Sequence, residues 1–83
     1  MSKHHRAAEE DLRSFGALIV RKRLSQGLSS EQLAAKLGIS QSSLSRIENG
    51  SREPRFEIVR RLNKYLDIAS NVLEYLNGGK FNT

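Results

Sequence analysis

Cysteine and tryptophan are absent from this 83-residue sequence, and proline occurs once. Without cysteine there are no disulfide staples and no thiolate metal sites, so apolar packing alone must hold the fold, as suits a reducing cytoplasm. The scarcity of proline leaves long stretches free of helix breakers. Also missing is any run near the roughly 18 apolar residues of a membrane span, and the basic N-terminus is not followed by an apolar segment with a small-residue cleavage site. These absences predict a soluble, unprocessed, cytoplasmic chain that does not engage a membrane. The length accommodates one domain with one modest core.

Positive charge is what the chain has in excess. Fourteen Lys and Arg against nine Asp and Glu give a net charge of +5, enough to attract a polyanion and speed encounter with it. Charge of this size names no partner by itself. No repeat, low-complexity linker or β-alternating run interrupts the sequence, and its apolar residues recur at three- and four-residue steps, so an all-α fold is expected.

The first helix is expected over 8–26, with Leu12, Phe15, Ile19 and Arg23 along one face and Gly27 ending it. Glu9, Glu10 and Asp11 then fall in its first turn and Arg21, Lys22 and Arg23 towards its end, the order that the helix dipole favours. Ser29, followed three residues later by Gln32, reads as a capping box opening a short second helix that closes at Gly38. Ser40 is placed to cap a third helix over 41–48, stopped by Asn49 and Gly50. The turn between these two helices needs positive φ, met by Gly38, and a small residue where they touch, met by Ala34. Leu33, Leu37, Ile39, Leu44 and Ile47 then point inward together. Beyond Pro54 a fourth helix over 55–66 places Phe56, Val59, Leu62 and Leu66 on one face, and a fifth over 69–76 offers Val72, Leu73 and Leu76. The expected organisation is an N-terminal arm over 1–7, a five-helix domain over 8–77 and a C-terminal tail over 78–83.

With Leu44 and Ile47 inward, a step of about 100° per residue turns Ser42, Ser45, Arg46 and Asn49 outward, with Gln41 at the leading edge. The competing reading is a solvated polar helix face. Phe15-Gly16, Ile19, Arg23, Gly27-Leu28-Ser29, Leu33-Ala34, Leu37-Gly38-Ile39-Ser40-Gln41, Leu44-Ser45, Ile47-Glu48-Asn49-Gly50 and Pro54 together resemble the Xre family of phage-repressor and Cro-type regulators over about residues 15–73. The likeness fixes residue types at many spacings rather than at one short motif. It implies a five-helix, lambda-repressor-like domain that binds a palindromic operator in double-stranded DNA as a homodimer, with neither catalytic activity nor cofactor.

The resemblance also implies that Gln41, Ser42 and Arg46 contact base edges, that Ser43 and Asn49 hold flanking phosphates, and that Arg23 and Glu48 form a buried ion pair. The chemistry of the readers agrees. A Gln amide donates to adenine N7 while accepting from N6, and Arg forks onto guanine O6 and N7. Arg52 and Arg55, near the fourth helix, serve either as phosphate clamps or as solubilising charge. Where the family usually opens the second helix with Gln, this chain has Ser30, whose hydroxyl and neighbouring helix amides suit a phosphate. Ser30 is expected to be too short to brace Gln41. Val20 also departs from the family, which often has a basic residue there.

Ile68, Val72, Tyr75 and Leu76 offer either a self-complementary dimer patch or the completion of the core. His4 and His5 lack the further ligands of a metal site. Lys3 and Arg6 belong either to an arm reaching DNA or to a disordered end. No nucleophile-base cluster, phosphate loop or paired acids suggest an enzyme. The second reading of function is an antitoxin or adaptor whose main partner is another protein.

Overall fold

The computed structural model describes residues 2–68, with side-chain surroundings from residue 9 onward, and these residues form four helices. Helix α1 is Ser2–Ser25, α2 is Ser30–Leu37, α3 is Gln41–Glu48 and α4 is Phe56–Leu66. The expected fifth helix and tail lie outside the described residues.

Helix α1 begins ahead of the expected residue 8, and the stretch 2–7 assigned to an arm falls within it. Glu9, Glu10 and Asp11 are therefore inside the helix instead of in its first turn, so only the basic end, with Lys22 and Arg23, matches the dipole. The helix keeps its apolar stripe because Phe15, Ile19 and Arg23 follow one another at four-residue steps. Ile19 is completely buried at the centre of the core, and Leu12 and Phe15 are half-buried. Burying a side chain such as Ile19 is worth roughly 1.5–3 kcal/mol.

Local chemistry sets both ends of α2. The Ser29 hydroxyl accepts from the Gln32 N–H at 3.0 Å while the Gln32 side-chain oxygen accepts from the Ser29 N–H at 2.8 Å, a reciprocal capping box. At the other end Gly38 takes φ 73°, which a residue with a Cβ adopts only at a cost. This lets the Ile39 N–H donate to the Ala34 carbonyl at 3.1 Å and the Gly38 N–H to the Ala35 carbonyl at 3.2 Å, the pair of bonds that closes a Schellman motif. The chain then passes through Ser40, whose hydroxyl accepts from the Ser43 N–H at 3.0 Å and so starts α3.

The core is a single cluster in which Ile19, Leu33, Leu37, Leu44, Leu62 and Leu66 are fully buried. Ala34 is buried within the cluster, and Ile39 is partly buried against it. Helices α1 and α2 both pack on α3, and α4 covers α1 and α2. Phe56 departs from expectation: it is 76% exposed, and the inward face of α4 is Ile58, Leu62 and Leu66. Two residues along a helix is a rotation of about 200°, so once Ile58 faces the core Phe56 must face away. Val59, a single step of about 100° from Ile58, lies at the edge of that face and is only half-buried. Among the described residues no helix is long and apolar enough to cross a membrane.

Candidate nucleic-acid interface

Helix α3 has two faces of opposite chemistry. Leu44 and Ile47 are buried on one, while Gln41, Ser42, Ser45, Arg46 and Asn49 are exposed on the other. The outward set is the one that helical geometry assigns when Leu44 and Ile47 are fixed inward.

Gln41 differs from expectation in being braced. Its amide nitrogen donates to the Ser30 hydroxyl at 2.9 Å, so the serine supplies the support that its short side chain was expected to preclude. The reason is proximity: each residue is the first of its helix, and the way the two helices cross places these starts within hydrogen-bond reach of each other. A primary amide has two N–H groups and a carbonyl oxygen. With one N–H on Ser30, Gln41 retains a donor and an acceptor side by side, the pattern that matches adenine N7 and N6. The Ser30 hydroxyl, having accepted from Gln41, still has its own proton to donate.

The loop after α3 brings Ser43, Arg52 and Arg55 to one place. They line a cleft of about 570 Å³ between the α2–α3 turn and the start of α4, together with Ser40 and Arg61. An Arg52 guanidinium nitrogen donates to the Ser43 hydroxyl at 3.3 Å, folding the loop back along α3. Asn49 lies apart from this cleft at the far end of the helix, where its side-chain oxygen accepts from the Ser51 N–H at 2.9 Å. Its amide nitrogen is left to face outward. Ser51 in turn donates its N–H to the Arg46 carbonyl at 2.9 Å and closes the helix.

Arg23 and Glu48 join α1 to the end of α3. Arg23 Nε donates to Glu48 Oε2 at 2.7 Å and Nη2 to Oε1 at 3.3 Å, a forked pair with only 13% and 11% of the two side chains exposed. A third donor, Nη1, reaches the Leu28 carbonyl at 3.1 Å. One guanidinium thus fixes the end of α1, the loop after it and the last residue of α3.

The sequence assigns no role to two contributors, Gly16, which enters only as part of the family resemblance, and Arg61. At Gly16 a Cβ would stand 2.6 Å from the Ile47 carbonyl oxygen and closer still to that of Glu48, so α1 crosses the end of α3 backbone against backbone. An interior helical glycine costs about 1 kcal/mol relative to alanine, and that cost was the available signal of a close approach. Arg61 is the other: it donates to the Leu37 carbonyl at 2.8 Å across 24 residues, which no local pattern announces.

Of the four residues assigned to a dimer patch, Ile68 is only 2% exposed and belongs to the core cluster. It therefore drops out of that surface. Val72, Tyr75 and Leu76 lie outside the described residues.

Two short helices set by a tight turn, the second offering a polar outward face, form a helix-turn-helix unit. The chain belongs to the Xre-like helix-turn-helix family, whose family model, described as helix-turn-helix, matches residues 19–73. Its class is accordingly that of a DNA-binding regulator. No curated protein matches the sequence.

Proposed function

We propose that the protein is a non-catalytic transcriptional regulator, a repressor in its simplest form, that inserts α3 into the major groove of a palindromic operator and binds it as a homodimer. The observation that carries this reading is the sided α3: its apolar half is consumed by the core, and its exposed half holds donors and acceptors with no apolar residue among them. Gln41 reads an adenine while Ser30 holds it, Arg46 reads a guanine, and Ser42 lies against the groove between them. Ser30, Ser43, Asn49, Arg52 and Arg55 engage the flanking phosphates and set the register of the helix on the duplex.

Magnitudes favour a dimer. Two bidentate contacts at about 1–3 kcal/mol each sum to about 2–6 kcal/mol, which covers only the lower part of the roughly 4–10 kcal/mol that separates specific from non-specific binding. Doubling the reader brings the sum into that range. The two α3 helices would lie about 34 Å apart, one turn of DNA, on half-sites of opposite sense. Val72, Tyr75 and Leu76 are the residues proposed to join the protomers.

Selection of bound sequences from a random duplex library at about 150 mM salt tests the proposal, followed by titration of the best duplex at several salt concentrations. The expected result is an enriched palindrome with adenine and guanine at fixed positions in each half and a steep salt dependence. Enrichment of nothing would overturn it in favour of a protein-binding role such as that of an antitoxin.

A further inference from the structure

The last residue of α2, Leu37, has a carbonyl that the helix itself does not satisfy. Closure of the helix by Gly38 and Ile39 uses the Ala34 and Ala35 carbonyls, and the Leu37 carbonyl is taken by a side chain from α4, 24 residues further along the chain. Arg61, from the middle of α4, donates Nη1 to it at 2.8 Å and Nη2 to the Glu57 carboxylate at 3.0 Å. The same Nη1 stands 3.2 Å from the place where a Cβ on Gly38 would lie, so the guanidinium touches the turn at its left-handed residue.

We propose that Arg61 is a positioning residue for DNA reading: it pins the turn that sets the angle between α2 and α3, and thereby aims Gln41 and Arg46, without touching DNA. This rests on the DNA-reading assignment above. Base-edge hydrogen bonds need placement within about 0.5 Å, whereas phosphate contacts by long side chains tolerate more. A loosened turn therefore weakens binding to the chosen operator more than binding to arbitrary DNA. Arg61 also lines the cleft that holds Arg52 and Arg55, which raises the alternative that it binds a phosphate itself. Its bonding speaks against that. Each terminal nitrogen spends one of its N–H groups on a protein acceptor, and the partner of Nη2 is the Glu57 carboxylate, whose negative charge opposes the approach of a second anion.

The test compares the unaltered 83-residue chain with Arg61→Met, which keeps an unbranched stem and removes every donor, and with Arg61→Lys, which keeps the charge and a single donor point. Amide exchange is measured without DNA, and affinity is measured for the selected duplex and a scrambled one at several salt concentrations. In Arg61→Met the Gly38 and Ile39 amides are expected to exchange about tenfold faster while the Leu44 amide keeps its protection. The preference for the selected duplex should fall about tenfold, the loss of one well-placed charge-assisted bond, with scrambled binding and the salt slope unchanged. Arg61→Lys should recover part of both, and it carries the same comparison if Arg61→Met does not fold. Equal weakening on both duplexes with a salt slope lower by about one would make Arg61 a phosphate contact and overturn the proposal. So would unaltered exchange at the turn. If the unaltered chain preferred no duplex, that failure would belong to the DNA-reading assignment, and the exchange data would still decide whether Arg61 pins the turn.

Discussion

The first residue of α3, Gln41, and the first residue of α2, Ser30, are joined by a hydrogen bond of 2.9 Å from amide to hydroxyl. Fixing the amide plane before DNA arrives removes rotamer freedom that would otherwise be lost on binding. It also links the serine proposed to meet a phosphate to the glutamine proposed to meet a base.

Ser30→Ala is expected to lower operator affinity by about five- to tenfold, the net worth of one hydrogen bond of about 1 kcal/mol plus the freedom regained by Gln41. Discrimination at the adenine position should fall with it, while the melting temperature stays within a degree or two, because alanine is well tolerated in the first turn of a helix. Titration of matched and singly altered duplexes checks both. Unchanged adenine preference would mean that Gln41 is held by DNA alone.

Arg46→Ala and Arg55→Ala should differ in kind. Loss of a base reader costs about 1–3 kcal/mol and relaxes the preference at one base pair, whereas loss of a phosphate contact weakens all sequences alike and reduces the salt slope by about one. A repeat of the library selection with each variant separates the two patterns. Uniform weakening by Arg46→Ala would move that residue to the phosphates.

Glu48→Ala leaves the Arg23 guanidinium with one protein acceptor, the Leu28 carbonyl, in a site where only 13% of the side chain is exposed. Stranding a buried charge costs roughly 3–5 kcal/mol, and the residual solvent access places this case near 3. Ser42→Ala, on the exposed face, should change stability by no more than about 0.5 kcal/mol. Urea unfolding of the two variants compares them directly, and equal midpoints would remove the ion pair from the stability account.

Gly16→Ala drives a methyl group into the Ile47 and Glu48 carbonyls, which are backbone and cannot swing aside. A cost of about 3 kcal/mol or more is expected, above the usual range for overpacking because no side chain can yield. Exposed Ser14→Ala should be close to neutral or slightly stabilising, since alanine is the better helix former. Thermal melts of both variants provide the check.

Much of this architecture was legible in the sequence because it is written in local rules. Ser29 with Gln32, Gly38, and Ser40 each act within five residues of themselves, so their spacing alone locates α2, the turn and α3. The outward face of α3 followed from periodicity once Leu44 and Ile47 were assigned inward. What was missed is non-local. The Arg61–Leu37 bond spans 24 residues, and the approach of Gly16 to Glu48 depends on how α1 crosses α3. The bracing role of Ser30 depends on the distance between the helix starts, which side-chain length alone does not convey. The exposure of Phe56 depends on the phase of α4, which Ile58 sets and an apolar residue at a helix start does not reveal.

The division of α3 into a packed half and an exposed half bears on how such proteins diversify. Leu44 and Ile47 bind the helix to the core, and Ser42, Ser45 and Arg46 project beyond it. If the outward residues read DNA as proposed, a duplicated copy could exchange them and acquire a new address on the chromosome while inheriting the old fold unaltered. Folding and addressing would then be separately heritable in this helix, with Gln41 as the position where the two meet through Ser30.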